Sequence, residues 1–334
     1  MSNLFNAEKY AKETYKAVNA LFDYPTAGVI QTVDTITDIV SGVVEAKYYE
    51  LGGQTPSDFV DIQVGRGAYM GQLFQFTSEY VGAPFEQCII NPKSTGIHND
   101  AAADIAVDGI NIPNNFYRQK YSISQEELKM AAANRVGFDV IEQKEKSRAK
   151  NWQLGIQNVL FNGLGDGRTK GLLNQTGVTT NATLLPKAIE SMSTSEIRTF
   201  AGTALATAYA NSNYTVMPNR WLMPTRTYLA LGVPFDTSFA YKTLKEVIED
   251  AFKQAGAPAD FKIVHSLYNN TAASGRGLHA FYNTEDVVMY IPKDYTPHPL
   301  YAQGALDMIS DAEGQFTGVW VKRPGAFMYA AEQA

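Results

Sequence analysis

Ser124-Gln-Glu-Glu-Leu-Lys-Met-Ala-Ala-Ala133 opens the strongest helical signal in the chain. Ser124 and Glu127 form a capping-box pair, in which each side chain satisfies a free backbone N–H of the other. Helix formers then run to about Asn162, through Glu142-Gln-Lys-Glu-Lys-Ser-Arg-Ala-Lys150, with Glu142 and Lys146 spaced for an i,i+4 ion pair. Apolar residues resume at Trp152, Ile156, Val159 and Leu160, and Gly163-Leu-Gly-Asp-Gly167 stops the helix. Unbroken, the 38 residues from Gln125 to Asn162 make ~57 Å. Bends at Gly137 and Gly155 would shorten that. A compact globule of this length would be about 50 Å across. The helix predicts an elongated molecule.

Upstream lies a strand pattern. Phe74, Phe76, Ser78 and Tyr80 share one face, and Leu73, Gln75, Thr77 and Glu79 the other. A polar tip from Asn91 to Asp100 carries Lys93. Extended segments return at Asp104–Ile112 and Phe116–Ser122, where Tyr117 and Tyr121 alternate with Phe116 and Lys120. Residues 69–122 thus predict a long two-stranded ribbon. An amphipathic helix, Asn6 to Phe22, precedes it, with Tyr10, Val18, Leu21 and Phe22 on one stripe. Residues 29–49 fit a helical period but a strand composition, and Gly52, Gly53 and Pro56 break the chain after them.

Downstream the pattern is mixed α/β. Ser193 and Glu196 form a second capping box before a helix to about Ala210. Tyr214–Pro224 predicts a strand interrupted by a turn at Met217–Arg220. Helices follow at Thr225–Leu231 and Lys242–Gln254. Strands are expected at Phe261–Ser266, Gly277–Asn283, Val287–Ile291, Ala305–Ser310, Gln315–Val321 and Ala326–Ala331.

Composition narrows the function classes. The 334 residues carry 28 basic and 34 acidic side chains, a net charge of −6. That argues against a protein built chiefly to grip nucleic acid or an anionic membrane. Charged residues are only 19%, yet there are 19 tyrosines and 17 phenylalanines. This mix suits buried protein–protein contacts. The single cysteine, Cys88, excludes a disulfide within the chain and a cysteine-built zinc site. No stretch approaches the ~18 apolar residues of a membrane span, and Met1–Tyr10 lacks an apolar signal core. A soluble protein of a reducing compartment is expected, and the four Asn-x-Ser/Thr matches are read as chance.

Chemistry-bearing motifs are missing. There is no phosphate-loop signature, nucleophile elbow or H-E-x-x-H. The glycine cluster at 163–171 follows a helix instead of leading into one, so it reads as a helix stop. His98, His265, His279 and His298 sit on four separate elements without ligand spacing. The charged middle of the long helix, Glu142–Lys150, holds four cations against two carboxylates and reads as a solvated face laced with its own ion pairs. No catalytic residue, cofactor or metal is expected.

A two-stranded ribbon is marginal in water unless something covers a face. This one carries Phe74, Phe76, Tyr80, Tyr117 and Tyr121, and the N-terminal helix has the same need for cover. Contacts onto neighbouring copies would supply it, and such contacts close into rings and shells. The order of elements resembles that of the major capsid proteins of tailed bacteriophages. Three stretches carry the likeness: Tyr121–Ala133 as entry to a spine helix, Lys170-Gly-Leu-Leu-Asn174 as the connection out of it, and Val319-Trp-Val-Lys-Arg-Pro-Gly-Ala-Phe-Met-Tyr329 as the closing strands.

The resemblance implies an α+β capsid fold. Its parts would be an N-terminal arm (1–60), an extended loop (61–122), a spine helix with peripheral domain (123–194), an axial domain (195–300) and peripheral return strands (301–334). It implies assembly with copies of itself into hexamers and pentamers, as a shell around double-stranded DNA that is touched weakly and non-specifically. Portal, scaffolding or decoration proteins are further expected partners, and the virion, assembled in the host cytoplasm, is the expected location. The chain shows no long charged helical segment at its start, so scaffolding is expected to be separate or unnecessary. Subunit contacts are expected at Tyr10, Val18, Leu21, Phe22, Phe74, Phe76, Tyr80, Lys93, Tyr117 and Tyr121. Two other readings compete: an encapsulin-type compartment of the same fold, and a soluble α/β enzyme whose site is built from scattered residues.

Overall fold

A computed structural model of the chain describes residues 47–81, 104–127, 129, 140–234, 242–270, 277–304 and 307–332. The expected N-terminal helix, the ribbon tip and Cys88 lie outside them. The described chain forms two compact units. The larger holds Glu50–Arg118, Trp152–Thr296 and the segment from Glu313 on; the smaller holds Gln119–Asn151 and Pro297–Ala312.

The larger unit is built on a five-stranded mixed sheet. Its order is β4 (Thr179–Leu185), β13 (Met328–Glu332), β7 (Leu278–Tyr282), β5 (Arg220–Pro224) and β6 (Lys262–Ser266). All five residues of β5 are buried. Of the helices α1 (Pro56–Phe59), α2 (Val140–Asn162), α3 (Thr194–Asn211), α4 (Thr225–Ala230) and α5 (Leu244–Gln254), α3 and α5 contribute most to the core of this sheet. On α3, Ile197, Phe200, Ala201, Ala204, Leu205 and Ala208 recur at helical spacing and are buried, so one stripe closes on the sheet. Trp221 of β5 stacks on Phe281 of β7 at 5.4 Å and tilts against Phe252 of α5 at 5.1 Å. The capping box forms as read: the Ser193 N–H donates to Glu196 Oε2 at 2.7 Å.

A smaller sheet has the order β1 (Asp61–Val64), β8 (Val287–Ile291), β12 (Val319–Val321), with β1 parallel to β8 and β12 antiparallel to it. A third has the order β10 (Tyr301–Gln303), β11 (Asp307–Thr317), β3 (Asp104–Ser124), β2 (Gln72–Val81), with β9 (Lys293–Pro297) also on β11.

Several expectations change. The two extended segments at 104–112 and 116–122 are one 21-residue strand. It runs through Pro113 because that residue stands at the last register position of the β2 ladder, opposite Gln72. The strands expected at 305–310 and 315–321 become a continuous β11 and a short β12. Gly314 keeps β11 going where a turn was expected: the Trp152 ring lies where its Cβ would be, 2.5 Å from Cη2. The strand expected from Tyr214 begins only at Arg220. Asn213 and Tyr214 take positive φ, and the Tyr214 N–H returns to Tyr209 O at 2.9 Å, closing α3. The glycine-rich exit of α2 is a helix stop. Gly163 has φ +69, and a Cβ there would sit 2.1 Å from Thr169 O. The Leu172 and Leu173 N–H groups then fold back on Leu160 O and Phe161 O.

Candidate assembly surface

The ribbon is present, and its register sorts its side chains. Phe74 opposes Asn111, Phe76 opposes Gly109 and Ser78 opposes Val107, while Leu73 opposes Ile112 and Gln75 opposes Ile110. Directly opposed residues share a face. One face is anchored. Ile112 is buried with Val288 and Tyr290, and Leu73 and Trp320 pack around them. The Tyr290 hydroxyl donates to Gln75 Oε1 at 3.1 Å.

The other face is bare. Phe74 is 53% exposed and Phe76 71%, and Val107 is exposed beside them. The two rings meet edge-on, centroids 4.9 Å apart. Aromatic pairs in this arrangement attract one another, but that does not hide their outer surface from water. Exposed apolar side chains grouped on one face of a ribbon leave an oily surface open to water.

A polar clamp holds the ribbon's root. The Tyr69 N–H donates to Gln315 Oε1 at 2.8 Å. The Asn114 side-chain amide donates to Met70 O at 2.7 Å and to Gln315 Oε1 at 3.2 Å. The Lys293 ammonium lies 4.9 Å over the Tyr69 ring and pairs with Glu313. Hydrogen bonds to Glu313 and then to Tyr69 raise its pKa above the usual lysine value, so it stays charged. Nothing in the local sequence marks this clamp, because Gln315 lies 246 residues from Tyr69.

The remaining expected contact residues fall in different places. Tyr117 is half-buried, its ring 5.1 Å from that of Trp152. Tyr121 is half-buried beneath the Arg148 guanidinium, at 4.6 Å. These two rings are therefore largely covered within the chain, while Phe74 and Phe76 are not. Tyr80 stands in β2 opposite Ile105. Tyr10, Val18, Leu21, Phe22 and Lys93 lie outside the described residues.

Arg148 departs from the expected solvated face. It is 2% exposed. Its Nη1 donates to Ser310 O at 2.8 Å, its Nη2 to Ser310 Oγ at 3.0 Å, and it pairs with Glu145. Lys146 and Glu142 do form the expected exposed pair, at 2.9 Å. Among the described residues, no group of three or more histidines, cysteines or carboxylates could hold a metal ion. No described helix is long and apolar enough to cross a membrane.

A sequence model of the family described as "Major capsid protein" matches residues 101–332. The chain belongs to the major capsid protein family.

Solved structures agree on the fold. The capsid of Myoviridae phage XM1 matches with a TM-score of 0.72 at 13% identity, covering 90% of this chain and 97% of that one. The capsid of a native GTA particle matches with a TM-score of 0.58 at 12% identity, covering 90% and 96%. A structure from Mycobacterium phage Che8 matches with a TM-score of 0.56 at 10% identity, covering 88% and 96%. A search of curated proteins found no match. The α+β capsid fold expected from the order of elements is the fold of this major capsid protein. Its role is structural, as a capsid component of the virion, and the enzyme reading is set aside.

Proposed function

We propose that the chain tiles into hexamers and pentamers of an icosahedral shell around double-stranded DNA, with the β2–β3 ribbon lying over an adjacent subunit. The bare platform of Phe74, Phe76 and Val107 supports this reading most directly, since it sits on a ribbon whose opposite face is anchored at home. Residues 1–60 act as an arm, 61–122 as the extended loop, 123–194 with 301–334 as the peripheral domain, and 195–300 as the axial domain. Each subunit offers several modest contacts, and closed symmetry adds them up. Phe74, Phe76 and Tyr80 contribute to the ribbon contact, Lys93 at its tip, and Tyr10, Val18, Leu21 and Phe22 through the arm, while Tyr117 and Tyr121 support the ribbon's base from within the chain. Portal, scaffolding or decoration proteins join the assembled shell, which forms in the host cytoplasm. Static light scattering with negative-stain microscopy of the purified full-length chain tests this. Closed shells of many chains are expected; a stable monomer at high concentration overturns it.

A further inference from the structure

The only Asn-Gly step among the 334 residues is Asn162-Gly163, where α2 ends. Such a step is chemically labile: the glycine nitrogen can attack the asparagine side-chain carbon, and no Cβ on the glycine obstructs it. Asn162 is exposed, so water and base reach it. The fold nevertheless ties down both reacting groups. The Gly163 N–H donates to Val159 O at 3.0 Å, and the Asn162 carboxamide donates to Asn158 Oδ1 at 2.9 Å. The carboxamide is thus drawn back along the helix, away from the Gly163 nitrogen.

The cap around this step is complete. The last four carbonyls of a helix have no partner within it. Here each has a donor: the Gly163 N–H on Val159 O, the Leu172 N–H on Leu160 O at 2.8 Å, the Leu173 N–H on Phe161 O at 2.9 Å, and Asn174 Nδ2 on Asn162 O at 2.8 Å. Asn174 Oδ1 also accepts the Gly171 N–H at 2.6 Å, so one side chain bolts the returning chain to the helix end. Gly163 packs on Thr169 O, where a Cβ would come within 2.1 Å. Turning the Gly163 nitrogen toward Asn162 Cγ breaks its bond to Val159 and shifts it off Thr169.

We propose that Asn162 is a deamidation site that the fold holds shut and that reacts only when the α2 exit opens. In the open chain the Gly163 nitrogen loses its proton to base and bonds to Asn162 Cγ. The Cγ–Nδ2 bond breaks, and ammonia leaves with a proton taken from water. Water then opens the cyclic imide at either carbonyl, giving aspartate or isoaspartate. Either product puts a carboxylate at the negative end of α2, where the helix dipole opposes it. Isoaspartate also adds a backbone atom beside the tightly packed Gly163. The reaction records an opening of the exit and makes it irreversible.

The test is peptide mass mapping of the full-length chain incubated in mildly alkaline buffer, native and in guanidinium chloride. Deamidation at Asn162 is expected to be at least about tenfold slower in the native chain. Asn174→Ala, which removes two bonds of the cap, should raise the native rate about tenfold and leave the unfolded rate unchanged. Asn158→Ala, at an exposed helical position, frees the carboxamide alone and should raise the native rate about threefold, which keeps the test decisive if Asn174→Ala does not fold. A native chain that deamidates at Asn162 as fast as the unfolded one, or a folded variant whose native rate does not rise, overturns the proposal.

Discussion

The Phe74 ring lies directly over Gly109, so close that a Cβ on Gly109 would come within 1.9 Å of the ring's Cζ. The glycine is thus the seat of the aromatic platform. It lets Phe74 lie flat across the ribbon, where it meets Phe76 edge-on at 4.9 Å.

Gly109→Ala should separate assembly from folding. Phe74 is half in solvent, so its ring can swing away without disturbing the core. Alanine also removes some unfolded-chain freedom. Stability of the isolated chain should therefore change by less than about 1 kcal/mol. The platform, however, is lost. Urea midpoints and particle yield, measured together, check this: an unchanged midpoint with sharply reduced shells is expected.

Arg148→Leu should destabilise the smaller unit by about 2–3 kcal/mol, because it removes the donors to the buried Ser310 carbonyl and hydroxyl oxygens. Glu145 is one-third exposed and can turn to water, which keeps the loss below that of a fully buried pair. Lys146→Leu, two residues away, removes an exposed pair and should cost less than about 0.5 kcal/mol. Chemical denaturation of both variants is the check.

Acid should weaken the larger unit. His279 is fully buried between β5 and β13: the Trp221 indole N–H donates to its Nδ1 at 3.2 Å, and its Nε2 lies 3.5 Å from Glu332 Oε2. Burial pushes its pKa below the ordinary histidine value, with Glu332 opposing. Burial, and then Lys245, lowers His265 as well. A depressed folded-state pKa means that the unfolded chain takes the proton first, so stability is full above about pH 6.5 and falls as pH drops below it. Asp286, whose pKa burial raises despite Arg323 and Lys322, acts in the opposite sense, but lower on the scale, above about pH 3.9. The urea midpoint should decline between pH 7.5 and 5.5, and less steeply in His279→Gln.

Deleting residues 1–23 or 85–100 should abolish the particles or change their size and leave the five-stranded body folded. Neither deletion removes a described residue of that body's core. Microscopy of the particles and circular dichroism of the soluble protein report the two outcomes; normal shells from both deletions contradict the account.

The sequence disclosed those parts whose signals are local. The Ser193–Glu196 box marked the start of α3 because its two partners lie three residues apart. The alternation at 73–80 predicted β2 and the separation of Phe74 and Phe76 from Leu73 and Gln75. Parts settled by distant partners stayed hidden. β4, Thr-Thr-Asn-Ala-Thr-Leu-Leu, has no alternation of its own and exists because β13 pairs with it. Arg148 reads as one more cation on a charged helix. Its burial depends on Ser310, 162 residues away. The same holds for Tyr117, whose cover is Trp152, and for the clamp at Tyr69. Burial of a long side chain is decided by whichever segment arrives from elsewhere, and a single stretch of sequence does not record it.

A cryo-electron-microscopy reconstruction of assembled particles tests the central claim most directly. The account predicts that atoms of an adjacent subunit cover the Phe74 and Phe76 rings at van der Waals distance, about 4 Å. Rings that face solvent, or that fold back onto their own chain, would contradict it.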